Sequence, residues 1–381
     1  ILLRDAGYRS QLLCDCPHLF NARFQHAFDA AYQTRGQEGD KAFLHMNDPI
    51  THVDPREKTR QASIWGEWTL ADLHRWHNRY FTNEEDTFAA KTSRLTTRWL
   101  EENYQAGPFF LWVDFFDPHE PWDPPEYMVR RYDPDYDGTP MLHPNYGPSS
   151  EYTDEELHNL WSHYAAEAEL VDRMLGRILQ KVDDLQLWDD SIIVVTSDHG
   201  FSIGEHARTG KTNIHPSHAD YWPIYPEVGH VPFLIAGGSV PKGQSLDLIG
   251  QPIDILPTVC ELAGADTSPT VPFQGKSFAQ AVLQGRTKHR PCAVSGCYLG
   301  EQNQDVPQKA TTPFAVGERW GYAPIGAHGE TELYDLDADP LATQNVAGDH
   351  PDAVVEMQEM LTDHLREHGA SERLMQIWRK R

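Results

Sequence analysis

A long amphipathic segment that leads into a β-branched run constrains the fold more than any other feature of this chain. Residues 154–185 carry apolar side chains at alternating spacings of four and three, which predicts a helix with one apolar stripe packed on a sheet. The stripe comprises Leu157, Trp161, Tyr164, Ala168, Val171, Leu175, Ile178, Val182 and Leu185. Thr153 is predicted to be the N-cap residue of this helix, and Glu156, three residues later, to complete a capping box. Residues 191–197 then predict a buried strand of the kind found in parallel sheets, so the two elements form half of a βαβ unit.

Other segments continue this alternation of helices and strands. Further strands are predicted at residues 8–14, 109–114 and 231–236, and further helices at residues 87–104 and 253–263. The pattern predicts an α/β/α sandwich with a mixed, largely parallel central sheet over residues 1–285.

The pattern changes from about residue 286. Short strands and a terminal helix are predicted at residues 292–298, 314–317, 332–335 and 352–368. We therefore expect a small α+β subdomain with an antiparallel sheet over residues 286–381.

Charge and composition exclude several classes of protein. The chain has 32 Lys and Arg against 57 Asp and Glu, a net charge of −25, so we expect no nucleic acid partner. No apolar run approaches the ~18 residues that indicate a membrane span. Five cysteines, an odd number at low density, argue against a disulfide framework. Cys14 is expected to be a partly buried strand cysteine, and a redox pair or half of a metal site with Cys16 is the less favoured alternative.

The first candidate site follows the strand predicted at residues 191–197. Asp198 and His199 offer an oxygen and a nitrogen ligand at the carboxyl end of that strand, where ligands gather in open α/β sheets. Lys211, in the loop that returns to the strand at 231–236, is suited to hold an oxyanion shared with the metal. The alternatives are an ordinary Asp-His-Gly turn and an ordinary surface lysine.

The second candidate is a histidine placed just after the strand predicted at residues 109–114. His119 lies between Pro118 and Pro121, which restrict the backbone around it. A histidine presented in this way can donate a proton to a leaving group. The alternative is an ordinary loop histidine with its hydrogen bonds satisfied.

Ordered motifs resemble the type I, formylglycine-dependent sulfatases of the alkaline phosphatase superfamily. The motifs are Ala6-Gly7-Tyr8-Arg9, Asp117-Pro118-His119-Glu120-Pro121, Thr196-Ser197-Asp198-His199-Gly200, Gly204-Glu205-His206, Lys211, Val231-Pro232-Phe233-Leu234-Ile235, Ile253-Asp254-Ile255-Leu256-Pro257-Thr258 and Glu332-Leu333-Tyr334-Asp335-Leu336-Asp337-Ala338-Asp339-Pro340. The resemblance extends from the first residue to about residue 350 and implies an alkaline-phosphatase-like fold.

The resemblance also implies roles for individual residues. Asp198 and His199 would bind a divalent cation, usually Ca²⁺ in sulfatases, with Mn²⁺ or Mg²⁺ as alternatives. Lys211 would hold a sulfate oxygen, and His119 would contact or protonate the bridging oxygen. Phosphonate monoesterases and phosphodiesterases of the same superfamily share the Asp-His pair.

The chain departs from the family pattern at the nucleophile. It contains no Cys/Ser-x-Pro-x-Arg motif, from which the formylglycine is made, and it lacks the family's first pair of metal-binding aspartates. Residues 1–7 have the pattern of a helix end capped by Gly7, so we expect both features upstream of Ile1. The chain as given is then expected to be an inactive fragment.

The resemblance predicts a hydrolase of sulfate esters that acts on a sulfated small molecule or sugar. The alternatives are a phosphonate monoesterase or phosphodiesterase, and a degenerate, non-catalytic binding member. Residues 15–76, which include Arg35 and Asp40, and the loop at residues 122–146 are expected to shape specificity, since aromatic and polar loops suit sugars. A solvated surface is the competing explanation for their composition.

Overall fold

The computed structural model describes residues 2–38, 40, 63–65, 68–69, 74, 77–79, 81–212, 221–268, 272–286, 289–296 and 312–379. The chain divides into two compact units, Ile1–Asn145 with Ser149–Ser191, and Tyr146–Pro148 with Ile192–Arg381. Each unit is described by itself. The domain boundary expected after residue 285 stays a prediction.

The first unit is built on a parallel three-stranded sheet. Its strands are β1 (Arg9–Cys14), β2 (Ala30–Gln33) and β5 (Phe109–Asp114), in the order β2-β1-β5, and a separate antiparallel hairpin pairs β3 (Ser63–Trp65) with β4 (Trp68–Thr69). Cys14 is a strand residue as expected, but it is fully buried rather than partly buried, and it lies opposite Asp114. The carboxyl ends of β1 and β5 therefore lie at one edge of the sheet.

Helices pack on this sheet and on each other. They are α1 (Leu2–Asp5), α2 (Pro17–Asn21), α3 (Phe88–Asn103), α4 (Glu126–Tyr132) and α5 (Asp154–Asp184). The expected long helix and its capping box are confirmed: Thr153 Oγ1 accepts from Glu156 N, and Thr153 N donates to Glu156 Oε2. An apolar core links α3, α4 and α5 through Ala89, Ala90, Met128, Val129, Ala166, Leu170 and Met174.

The buried face of α5 differs from the predicted stripe. Trp161 of that stripe is exposed, whereas Asn159 and His163 are buried. Both polar residues find partners inside the unit, since the Asn159 side chain accepts from Met141 N and His163 Nδ1 lies 3.0 Å from Trp122 O. Hydrophobic periodicity misplaces a helix face when hydrogen-bonded polar side chains fill part of the interior.

The second unit contains two small antiparallel sheets besides its carboxyl-terminal one. One joins β7 (Ile193–Thr196) to β10 (Phe233–Ala236), and the other joins β6 (Gly147–Pro148), β9 (Arg208–Gly210) and β8 (Ser202–Ile203) in that order. The strand expected from residues 191–197 is thus antiparallel to its partner, and it is only partly buried. In the described part of the connection from β7 to β10 lie the β8-β9 hairpin and a four-residue helix, and no long crossover helix of the kind that joins parallel strands.

The carboxyl-terminal strands form the antiparallel sheet that the sequence predicts. The order is β11 (Ala293–Ser295), β12 (Phe314–Val316), β13 (Trp320–Ala323) and β14 (Glu332–Asp335). The helices of the second unit are α6 (Pro226–Gly229), α7 (Ile255–Leu262), α8 (Ala279–Gln284), α9 (Pro351–Glu367) and α10 (Glu372–Trp378). Helix α9 covers the sheet through a core that includes Val294, Ala315, Tyr322, Leu333, Val354, Met357 and Leu361.

Some of the sequence-based expectations can be compared with the described residues only in part. Among those residues, no helix is both long enough and apolar enough to cross a membrane. Residues 41–62, and several others before residue 76, lie outside the described part of the segment expected to shape specificity. Residues 297 and 298, at the end of the strand predicted from residue 292, also lie outside the described residues.

Candidate functional site

The histidine that follows β5 lies among buried acidic side chains of the first unit. The His119 ring stacks on Phe116, with ring centroids 4.2 Å apart. Phe116 is itself anchored, since its backbone N–H donates to the buried carboxylate of Asp15, the residue that follows β1. The peptide bonds before Pro118 and Pro121 are both cis. The ends of β1 and β5 thus fix the base of the His119 loop.

Three acceptor atoms surround one nitrogen of this imidazole. His119 Nδ1 lies 2.6 Å from the backbone oxygen of Glu120, 3.3 Å from Glu120 Oε2 and 3.6 Å from Glu38 Oε2. The side chains of Glu120 and Glu38 are only 1% and 6% exposed, whereas that of His119 is 21% exposed. A partly exposed imidazole is therefore backed by two buried carboxyl groups.

Further buried polar groups lie near Glu38 and the His119 loop. Asp117 accepts from Gln37 Nε2 at 2.6 Å, and burial raises the pKa of Asp117 to about 7. His74 Nε2 lies 2.9 Å from Asp123 Oδ2. Burial opposes the charged form of His74, but the charge and hydrogen bond of Asp123 raise its pKa above the usual value.

The pair that follows β7 belongs to the second unit and is well exposed. The side chains of Asp198 and His199 are 86% and 36% exposed. Asp198 Oδ1 accepts from His199 N at 2.9 Å, and His199 Nδ1 lies 3.0 Å from the carbonyl oxygen of Gly200. Because a carbonyl can only accept, Nδ1 carries the proton and the lone pair of the neutral ring lies on Nε2, as metal ligation requires.

The donor atoms of this pair fit a shared cation. Asp198 Oδ2 and His199 Nε2 lie 3.6 Å apart. Two ligands at right angles, each about 2.4 Å from a cation, are about 3.4 Å apart. The described ranges contain no group of three or more His, Cys, Asp or Glu side chains arranged to hold a metal. Within the described ranges, this pair therefore offers two potential donor atoms and not a full ligand set.

Gly200 and Gly210 allow the backbone on either side of the β8-β9 hairpin to pack closely. A Cβ on Gly200 would lie 2.2 Å from the backbone oxygen of Glu227. Gly210 has a φ of +118°, and a Cβ there would lie 2.8 Å from the Tyr146 ring. In the hairpin, Gly210 lies opposite Ser202, so the chain returns at Lys211 towards the segment that begins at Asp198.

His206 links this hairpin to the segment that follows β14. Its Nδ1 lies 2.8 Å from Glu227 Oε1 and its Nε2 lies 2.7 Å from the backbone oxygen of Ala342. The ring stacks on Tyr225, with centroids 3.7 Å apart. Burial by itself lowers the pKa of His206, but Glu227 and the Ala342 carbonyl raise it above the usual value. The β8-β9 hairpin is thereby connected to the segment that follows β14.

The sequence analysis proposes His119, Asp198, His199 and Lys211 as site residues, and these assignments stay predictions; it does not single out the acidic residues next to His119. The structure places His119 in the first unit and the other three in the second. Glu38 lies in a segment without periodicity, so no pattern marked it. Glu120 adjoins His119 in the quoted motif, and its position beside two prolines was the available signal.

Comparison with known proteins places these motifs in one family. The family model described as Sulfatase matches residues 2–265, more than half of the chain. Arylsulfatase K of Xenopus laevis is 27% identical over 222 residues, which cover 56% of this chain and 38% of that protein. Arylsulfatase K of Homo sapiens is 25% identical over 218 residues, with coverages of 56% and 38%. The match thus spans less than half the length of these curated relatives.

Solved structures share the fold at low sequence identity. The phosphonate monoester hydrolase of Agrobacterium radiobacter aligns with a TM-score of 0.66 at 20% identity, covering 96% of this chain and 79% of that one. A protein solved in complex with its substrate D-glucosamine-2-N,6-O-disulfate has a TM-score of 0.66 at 15% identity, with coverages of 98% and 82%. These structures show the expected alkaline-phosphatase-like fold. With the family match over residues 2–265, the chain belongs to the sulfatase family.

Proposed function

We propose that the protein carrying this chain hydrolyses sulfate esters. The observation that supports this most directly is the pairing of Asp198 Oδ2 with His199 Nε2, 3.6 Å apart, within the part of the chain that matches the sulfatase family. In this proposal Asp198 and His199 hold a divalent cation, Lys211 binds a sulfate oxygen and His119 protonates the leaving oxygen.

In this proposal, Asp198 and His199 place the cation next to the sulfate group. When bound, a divalent cation would withdraw charge from the sulfate oxygens. Ca²⁺ is the ion we propose, with Mn²⁺ and Mg²⁺ as alternatives. The bond from His199 Nδ1 to the Gly200 carbonyl fixes the tautomer that presents Nε2.

Lys211 and His119 would act on different oxygens of the ester. The Lys211 ammonium would attract a non-bridging oxygen, on which negative charge must be stabilised during the reaction. His119 would transfer a proton to the bridging oxygen, so that the alcohol leaves without a full negative charge. The sequence has no Cys/Ser-x-Pro-x-Arg motif, so we propose that the nucleophile, a formylglycine by analogy with the family, comes from a residue outside these 381.

Carbohydrate sulfates are the substrate class that the comparisons support best. The curated relatives are named Arylsulfatase K, and one protein of similar fold was solved with a sulfated glucosamine as its substrate. Aromatic and polar residues around the His119 loop are consistent with a sugar ligand.

A substrate panel tests this proposal. The protein encoded by the whole gene is assayed with 4-nitrophenyl sulfate, a sulfated glucosamine, a phenyl phosphonate ester and bis(4-nitrophenyl) phosphate, with His199→Ala as the inactive control. Sulfate release faster than phosphonate or diester cleavage supports the proposal. Faster phosphonate or diester cleavage would indicate a phosphonate monoesterase or phosphodiesterase. Binding of the sulfated sugar without turnover of any ester would indicate a non-catalytic member.

A further inference from the structure

We propose that Glu120 and Glu38 are positioning residues for His119, which keep a proton on Nδ1 so that proton transfer to the leaving group runs through Nε2. This inference rests on the proposed function for the role of His119 in catalysis. The state of the ring can nevertheless be measured without any turnover.

The contacts at Nδ1 determine which tautomer is present. The nearest atom, the Glu120 backbone oxygen at 2.6 Å, can only accept a hydrogen bond. The carboxylate oxygens Glu120 Oε2 at 3.3 Å and Glu38 Oε2 at 3.6 Å are acceptors as well. A lone pair on Nδ1 would face all three, so Nδ1 must carry the proton. Any proton that the ring gives to a substrate oxygen then comes from Nε2.

Glu38 contributes a fixed negative charge to this arrangement. Its two oxygens lie between two imidazoles, with Oε2 3.6 Å from His119 Nδ1 and Oε1 3.6 Å from His143 Nε2. Burial would raise the pKa of Glu38, but the hydrogen bond and charge of His143, together with the charge of His119, hold it below its usual value. Glu38 is therefore ionised at neutral pH, and its charge favours the protonated form of His119 that a proton donor needs.

The ring is also held in orientation. Phe116 stacks on one face with an interplanar angle of 29°, while the Nδ1 edge is pinned by Glu120. The Glu120 backbone oxygen thus contributes both to the orientation of the ring and to its tautomer. Loss of either carboxylate would leave this oxygen and the stacking partner in place, so it would weaken the preference for a protonated Nδ1 rather than abolish it.

The tautomer can be observed by nuclear magnetic resonance. Histidine ring nitrogens of the ¹⁵N-labelled 381-residue chain are correlated with ring protons through two-bond couplings, and the His119 signals are assigned by their loss in His119→Gln. We expect a protonated Nδ1 at every pH at which the ring is neutral. A neutral ring protonated on Nε2 in the unmodified chain would overturn the proposal without the need for any further variant.

The carboxylates are then tested by Glu38→Gln and Glu120→Gln. A glutamine amide can donate to Nδ1, so we expect each variant to move a measurable fraction of the neutral ring to the Nε2-protonated tautomer. Glu167→Gln is the matched control, because Glu167 is equally buried in the same unit and burial raises its pKa well above the usual value, so that the amide replaces a neutral acid. Unchanged His119 tautomer populations in both glutamine variants would contradict the proposal, as would an equal shift in Glu167→Gln.

Kinetics separate this proposal from the proposed function. The variants Glu38→Gln and Glu120→Gln are assayed in the protein encoded by the whole gene. Because each disturbs the positioned proton donor, kcat/KM should fall by about tenfold or more for an alkyl or sugar sulfate. It should fall much less for 4-nitrophenyl sulfate, whose leaving group needs no proton. No sulfate hydrolysis, with Nδ1 protonated as expected, would overturn the proposed function and support the positioning. Hydrolysis together with a neutral ring protonated on Nε2 would support the proposed function and overturn the positioning role of Glu120 and Glu38.

Discussion

His206 and Glu227 form a partly buried ion pair in which Nδ1 lies 2.8 Å from Oε1. Since the other ring nitrogen faces the Ala342 carbonyl at 2.7 Å, both nitrogens must donate, which only the imidazolium can do. Glu227 Oε1 also accepts from Ser202 in β8. The charged ring of His206, which belongs to the β8-β9 hairpin, therefore contacts two other segments. One contains Glu227, whose backbone packs against Gly200, and the other follows β14.

This arrangement predicts a stability that depends on pH. The pKa of His206 is raised in the folded state, so its contribution is fully present below the unfolded-state pKa of about 6.5 and is lost as pH rises through the folded pKa. Relative to His206→Gln, the native chain should be more stable by about 1–3 kcal/mol at pH 6, and this difference should shrink at alkaline pH. Urea denaturation from pH 5.5 to 9 measures it. His350→Gln, on the exposed start of α9, serves as the control, and a difference that grows with pH would contradict the assignment.

A second prediction concerns the glycine that follows the Asp198-His199 pair. A Cβ on Gly200 would lie 2.2 Å from the Glu227 carbonyl oxygen, which is backbone and cannot rotate away. We expect Gly200→Ala to destabilise the fold by about 2 kcal/mol or more, as overpacking does. Gly250→Ala is the matched control, because a Cβ there meets nothing within 4 Å. Equal unfolding free energies for the two variants would show that the contact is absent.

A third prediction concerns the aspartate of the Ile253 to Thr258 motif. Asp254 is fully buried, pairs with the buried Arg290 and accepts from Lys276 N at 2.7 Å and Gln251 N at 2.9 Å. Asp254→Asn should cost about 3–5 kcal/mol of unfolding free energy, because it leaves the Arg290 charge without its partner. The exposed Asp266, which accepts from the nearby Ser268, supplies the control Asp266→Asn. A loss below about 1 kcal/mol in Asp254→Asn would refute this role.

The sequence predicts those parts of the fold that depend on local signals. Helix α5 and its cap follow from Thr153 and Glu156, and β5 follows from a Gly-Pro turn and an apolar run, all of which are close in sequence. The antiparallel pairing of β7 with β10 could not be predicted, because a β-branched run is compatible with either direction. The same limit applies to the site. Asp198, His199 and Lys211 belong to motifs, whereas Glu38 reaches His119 only through tertiary packing.

The fourth prediction concerns catalysis by the protein encoded by the whole gene. Asp198→Ala and Lys211→Ala should each lower kcat/KM on an aryl sulfate on the order of 10²–10³-fold, because each removes charge stabilisation at the sulfate. Thermal unfolding should change little for Asp198→Ala, since that side chain is largely exposed. Asp247→Ala and Lys242→Ala, on an exposed loop, are the matched controls. Near-normal turnover in either site variant would remove that residue from the proposed mechanism.

The last prediction concerns metal binding by the 381-residue chain alone. Ca²⁺ prefers six to eight oxygen ligands, whereas Asp198 and His199 supply two donors, and no larger group of metal-ligating side chains occurs among the residues that the structure describes. We therefore expect Ca²⁺ to bind no more tightly than about 10⁻³ M, and we expect no hydrolysis of an aryl sulfate, because the sequence holds no formylglycine motif. Equilibrium dialysis and a turnover assay against Lys211→Ala measure both. Stoichiometric metal retained after dialysis, and lost in Asp198→Ala, would mean that further ligands complete the site; hydrolysis above the Lys211→Ala level would mean that the nucleophile lies within this sequence.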